Sequence, residues 1–190
     1  MVAQDYKDTL NLPKTKFPMR ANLSKREPDF LEFWEKECIY DKLRKKNEDE
    51  ETFILHDGPP YANGNIHIGT AFNKILKDFI PKYKWMKGYR APYVPGWDTH
   101  GLPIELRVLK EQGITKEDIP AATLRSQCQQ YAEKYIDVQR EEFKRLGVLG
   151  EWGNPYLTFR PEYEATQLEA FSSMVEKDLI YKGLKSGYWC

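Results

Sequence analysis

The chain has 190 residues, enough for one sizeable core or one core with a small appendage. At 41% hydrophobic and 14% aromatic it is too apolar for disorder, and 29 basic against 29 acidic residues leave no net charge to drive general DNA binding. Three distant cysteines, Cys38, Cys128 and Cys190, form no C-x-x-C pair, which argues against a disulfide framework or a zinc site and for a reducing cytoplasm.

Residues 5–28 carry Pro13, Pro18 and Pro28 among basic and apolar residues and predict an extended arm with little regular structure. Phe30, Leu31, Trp34, Cys38 and Leu43 recur at helical spacing, which predicts a helix from Asp29 to about Lys46 with Cys38 buried. Residues 45–51 are a charged connector, so the chain is expected to divide into residues 1–50 (arm and helix) and 51–190. Thr52-Phe53-Ile54-Leu55 predicts a buried strand that Asp57-Gly58-Pro59-Pro60 ends. Ile68, Phe72, Ile75, Leu76, Phe79 and Tyr83 predict the core face of the next helix, which Pro81 is expected to kink or break and Gly88 to stop.

A second strand is expected at Tyr89–Val94, weakened by Pro92. Pro103 suits the first turn of a helix running to Gln112. Leu124, Cys128, Tyr131, Tyr135 and Val138 mark a long helix over Thr123–Leu146, with Gly147 as its stop. A short strand within Trp152–Phe159 precedes a helix at Glu162–Asp178 that offers Leu168, Phe171, Val175 and Leu179 to a core. The alternation of strands and helices predicts an α/β fold with a parallel sheet and helical additions. No apolar run is long enough for a bilayer, and the N-terminus lacks a signal-peptide plan, so a cytoplasmic protein without membrane contact is expected.

Two clusters carry the chemistry. Pro60-Tyr61-Ala62-Asn63-Gly64-Asn65-Ile66-His67-Ile68-Gly69-Thr70 joins a strand to a helix start, where backbone N–H groups and the helix dipole favour a phosphate. Gly69 would leave room there for a flat group such as adenine, and His67 is either a phosphate contact or a helix cap. Gly96-Trp97-Asp98-Thr99-His100-Gly101 follows the second strand, where open α/β sheets bind ligands. Asp98 suits a substrate ammonium or an N-cap for the following helix, Trp97 suits a core anchor, and His100 is balanced between orienting Asp98 or touching substrate on one side and a structural role on the other.

At these clusters the chain resembles the class I aminoacyl-tRNA synthetases, and among them the isoleucyl-tRNA synthetases. Asp57 to Gly64 with His67 and Gly69 is similar to that family's first ATP motif, H-I-G-H. Asn73-Lys74, Lys77-Asp78, Gly96 to Glu105, and the arm residues Lys14-Thr15 and Phe17-Pro18-Met19-Arg20 extend the likeness over about Tyr6–Trp189. The resemblance implies a Rossmann-type domain that joins isoleucine to ATP as isoleucyl-adenylate and passes isoleucine to tRNA(Ile), acting as a monomer. It implies that His67 and Thr70 serve catalysis and that Pro60–Thr70 bind ATP, with Gly69 packing on adenine. It further implies that Gly58, Pro59, Asp98 and His100 bind the amino acid, and that Mg²⁺ arrives with ATP, with no metal site of the protein's own.

Two departures shape the expectation. The fourth motif position, usually histidine, is Thr70, whose hydroxyl brings no positive charge to the phosphate. The chain also ends about where the family continues into its editing insertion. It is therefore expected to be the N-terminal portion of a larger enzyme, with half an active site, weak activity alone, and exposed apolar faces on the Thr123 and Glu162 helices. The competing expectation is a catalytically silent fragment or paralogue that binds nucleotide or amino acid.

Overall fold

In the computed structural model, which describes residues 9–10 and 20–188, three stretches of extended chain run parallel. The middle stretch, residues 90–98, pairs with Thr52 and Tyr61 on one side through Arg90 and Asp98. On the other side β1 (Gly96–Trp97) pairs in register with β2 (Tyr156–Leu157), Gly96 opposite Tyr156 and Trp97 opposite Leu157. Tyr156 N–H donates to the Pro95 carbonyl at 3.0 Å and Thr158 N–H to the Trp97 carbonyl at 3.3 Å. Pro59, Pro60, Pro92 and Pro95 contribute no N–H, which keeps the regular ladder short although the parallel order is complete.

Six α-helices occur among the described residues: α1 (Leu23–Lys36), α2 (Ile39–Lys46), α3 (Ile68–Met86), α4 (Leu102–Gln112), α5 (Ala121–Arg145) and α6 (Pro161–Glu176). The chain divides into two compact units at Glu37/Cys38. In the second unit, α4 packs on α5. Ile104, Val108 and Leu109 of α4 meet Leu124, Ala132, Ile136 and Phe143 of α5, and Ala62, Trp97 and Leu157 complete the core. Gly113 and Gly147, both at positive φ, stop α4 and α5 where the sequence places them.

Several expectations are corrected. The helix expected at Asp29–Lys46 is two helices broken at Cys38, which is exposed and left-handed with φ 48°; the first begins at Leu23, inside the supposed arm. The remaining arm residues of the resemblance, 14–19, and Cys190 lie outside the described residues. Thr52–Leu55 makes a single bridge at Thr52, with Ile54 exposed, because the chain turns away from the middle stretch after Phe53. The Tyr89–Val94 strand moves to Gly96–Trp97, past both prolines. Helix α3 runs through Pro81 without breaking.

Most consequential is the face of α3. Its buried residues are Lys74, Asp78, Pro81 and Trp85, spaced four, three and four. That stripe has the helical period but not the expected chemistry, and it turns Ile68, Phe72, Phe79 and Tyr83 to solvent. Likewise α6 buries no residue: Leu168, Phe171, Val175 and Leu179, expected to face a core, are exposed, which fits the expectation of a bare apolar face on the Glu162 helix, whereas the Thr123 helix is packed. Replacing Phe79 by Ser is therefore expected to change the stability of this chain by less than about 0.5 kcal/mol, against about 3–5 kcal/mol for Phe143→Ala in the core, measured by urea unfolding.

Candidate functional site

The two sequence clusters are joined by backbone. Asp98 N–H donates to the Pro60 carbonyl at 2.9 Å, and Ala62 N–H donates back to the Asp98 carbonyl at 3.2 Å. Pro60, Tyr61 and Ala62 are thereby held against the carboxyl end of β1, and Ala62 is fully buried there. The loop continues through Asn63, half-buried Gly64 at φ 154°, exposed Asn65 and half-buried Ile66 to His67.

His67 is the N-cap of α3. Its Nδ1 accepts from Gly69 N–H at 3.0 Å and from Thr70 N–H at 3.3 Å, satisfying two of the N–H groups that open a helix. An imidazole that accepts at Nδ1 carries its proton at Nε2, so the cap fixes the tautomer and leaves Nε2–H as the donor of an exposed side chain. Gly69 permits this: a Cβ there would lie 2.9 Å from Cε1 of the same ring. The space beside Gly69 is thus occupied by His67 itself. Ile68 is exposed, and Thr70 is half-buried in the first turn.

Asp98 accepts from His100 N–H through Oδ1 at 3.2 Å and is half-buried; the N-cap of α4 is Gly101, not Asp98. His100 points to the segment after β2, its Nε2 lying 3.1 Å from the Thr158 carbonyl and 3.3 Å from Glu164 of α6. The neighbouring Thr99 is bonded to Thr158 as well, by its N–H and its hydroxyl. Trp97 is fully buried, the core anchor the sequence suggests.

Beneath the loop lies a group to which the sequence reading gave no role. Asp57 is fully buried and accepts from Lys74 Nζ at 2.6 Å, Lys77 Nζ at 2.8 Å and Gly96 N–H at 3.0 Å. Lys77 also donates to the Gly58 carbonyl at 2.9 Å, so part of the backbone expected to line an amino-acid pocket is engaged from α3. Lys74 reaches the Tyr93 hydroxyl at 3.2 Å and lies 4.8 Å from the centre of the Phe143 ring. The Tyr156 phenol donates to the Asp57 carbonyl, and its ring covers Gly96 so closely that a Cβ there would come within 2.0 Å. His56 and Tyr163 each stack on the Tyr156 ring. One signal was available in sequence: charged Lys74 and Asp78 recur on one helical stripe.

Burial alone would raise the Asp57 carboxyl, but the Lys74 and Lys77 ammoniums and the Gly96 N–H outweigh it and hold it below its ordinary value. Burial lowers Lys74, and Lys77 adds to this, while Asp57 opposes it. The two directions pull the pair opposite ways; three donors on one carboxylate decide for the ionised state. Asp78 is raised by burial against the attraction of Lys82 and the Leu149 N–H. Among the described residues no cluster of His, Cys, Asp and Glu is placed to hold a metal ion, and no helix is long and apolar enough to cross a membrane.

Residues 29–190 match the family described as tRNA synthetases class I (I, L, M and V), and the chain belongs to that family. Among curated relatives, the protein named isoleucine–tRNA ligase in Kosmotoga olearia is 60% identical over 186 residues, covering 98% of this chain and 20% of the relative. The isoleucine–tRNA ligases of Carboxydothermus hydrogenoformans (60%) and Caldicellulosiruptor saccharolyticus (57%) match over the same shares. The chain thus spans about a fifth of the length of these relatives. A crystal structure of the LeuRS–tRNA–LeuAMS ternary complex of Agrobacterium radiobacter K84 superimposes with a TM-score of 0.63 at 23% identity, covering 85% of this chain and 19% of that one. That likeness establishes the fold, the Rossmann-like α/β architecture of a class I synthetase catalytic domain.

Asp57→Asn leaves Lys74 buried opposite a neutral group and is expected to cost about 3–5 kcal/mol in urea unfolding at pH 7. Because its folded carboxyl is held low, the stabilisation from Asp57 is present above about pH 4 and is lost as pH falls through the folded value. Asp78, held high, has the opposite sign and erodes stability as pH rises above about 4, so Asp78→Asn is expected to cost less than Asp57→Asn.

Proposed function

We propose that residues 51–190 form the first half of a nucleotide-binding catalytic domain that activates isoleucine with ATP and, within a longer protein, passes it to tRNA(Ile). The observation that supports this reading is the backbone pairing of Pro60–Ala62 with Asp98, which ties the loop leading into the α3 helix start to the strand end that carries a carboxylate. The choice of isoleucine is supported by relatives at 57–60% identity that bear that name.

In this reading Nε2–H of His67, aimed by the cap, donates to a phosphate oxygen of ATP at the positive end of α3. Asp98 pairs with the α-ammonium of isoleucine and holds its carboxylate toward the α-phosphorus. The carboxylate oxygen bonds to that phosphorus, the α–β anhydride bond breaks, and pyrophosphate leaves with the electron pair and its Mg²⁺. Loop residues Pro60–Thr70 surround the nucleotide, and Gly58 and Pro59 present backbone to the amino acid. His100, tied to Thr158 and Glu164, shapes the wall on the far side of Asp98.

The second reading, a chain that binds nucleotide or amino acid without turnover, is favoured by Thr70, whose side chain brings no charge to the phosphate. Isoleucine-dependent ATP–pyrophosphate exchange separates the two. Exchange that falls about 10²–10³-fold in His67→Ala is expected from the first reading; calorimetric binding with no exchange selects the second. Thr70→His is expected to raise the exchange rate, and an unchanged rate would remove Thr70 as the weak point.

A further inference from the structure

The loop that carries the ATP motif is gripped from α5 by two side chains of opposite hydrogen-bonding character. Gln139 is 2% exposed, and its amide nitrogen donates to the Tyr61 carbonyl at 3.0 Å and the Gly64 carbonyl at 2.7 Å. Its amide oxygen accepts from the Trp97 indole at 2.9 Å, one residue before Asp98. Both N–H donors and an oxygen lone pair of this buried amide are therefore used. Glu142, on the same face one turn later, accepts from the Asn65 side chain at 2.6 Å and from Ile66 N–H at 2.8 Å. An amide thus takes the two carbonyls of the turn and a carboxylate takes two N–H groups, immediately before His67.

We propose that Gln139 and Glu142 are positioning residues that fix loop 60–66 relative to the strand bearing Asp98, and so set where His67 stands; the consequence for nucleotide rests on the ATP reading above. The arrangement is specific in its polarity. A carboxylate at 139 could still accept from Trp97 but would face two carbonyl oxygens with no donor, and the turn would be driven off while the indole bond survives. An apolar side chain at 142 would leave Ile66 N–H and Asn65 to water. Neither change removes apolar core.

The test uses the full chain with amide exchange read by NMR and ATP affinity read by calorimetry. In Gln139→Glu the Trp97 indole resonance is expected to keep its hydrogen-bonded position while Ala62 N–H exchanges at least about tenfold faster than in the parent. In Glu142→Ala, a half-buried site where alanine supports the helix, Ile66 N–H is expected to exchange at least about tenfold faster, with α4 amides unchanged and ATP affinity about tenfold weaker at constant isoleucine affinity. Glu142→Ala decides the matter alone where Gln139→Glu does not fold. Exchange at Ala62 and Ile66 no faster than in the parent overturns the proposal, as does faster exchange with ATP affinity retained. A parent chain that binds no ATP sinks the ATP reading instead, and the exchange rates alone then support or overturn the clamp.

Discussion

The Asp57 carboxylate is the constraint on which the rest of the second unit depends. It sits where the segment entering the motif loop, helix α3 and the middle stretch of the sheet meet, and it bonds to the last two directly. Its own carbonyl is taken by Tyr156 from β2, so one residue ties all three extended segments and the helix between two of them. Apolar contacts would supply comparable free energy in this space, since a buried ion pair gains little over well-packed hydrophobes. What they would not supply is direction. Two ammoniums one turn apart on α3 meeting two oxygens of one carboxylate define a single axial position for the helix, and His67 stands at its first turn.

This explains which parts of the molecule were legible in the sequence. The extents of helices α4 and α5 were, because their ends carry glycines in the left-handed region; the buried line of α5 (Leu124, Ala132, Ile136, Gln139 and Phe143) is shifted round from the expected Cys128, Tyr131, Tyr135 and Val138, which are only half-buried. That the motif loop leads into a helix start at His67 was, because Gly, Pro and His in that order serve a small set of purposes. The parallel order was, from alternation alone. The face of α3 was not. Periodicity assigns the inside to carbon, whereas Lys74 and Asp78 go inside because Asp57 and the Leu149 N–H are there to meet them, and those partners are separated by 17 and 71 positions in sequence. The break at Cys38 was invisible for a similar reason, since helical spacing continues across it and only a left-handed residue without glycine marks the interruption. The contribution of Gln139 was hidden too: a glutamine in a long polar helix carries no periodic signature, and three partners spread over Tyr61, Gly64 and Trp97 become apparent only in space.

The case of His67 shows why a structural role and a chemical one need not compete. Read from the sequence, a cap and a phosphate contact are alternatives for one imidazole. In the proposed ATP reading the first is a condition of the second. Capping consumes Nδ1, the consumed nitrogen forces the proton onto Nε2, and the ring is held by two backbone bonds so that this donor has a direction. Gly69 belongs to the same device, since any Cβ there would press on the ring that makes the cap. The Thr70 N–H is spent on His67, so what remains for position 70 to offer is its side chain. A hydroxyl there adds a neutral dipole at the positive end of α3, whereas an imidazolium would add a full charge where the helix already carries about half of one. In the proposed reading the difference between them is felt as charge builds on phosphate during attack, not in the resting arrangement of the loop, which Asp57, Gln139 and the Asp98 backbone hold in place without any bond from the Thr70 side chain.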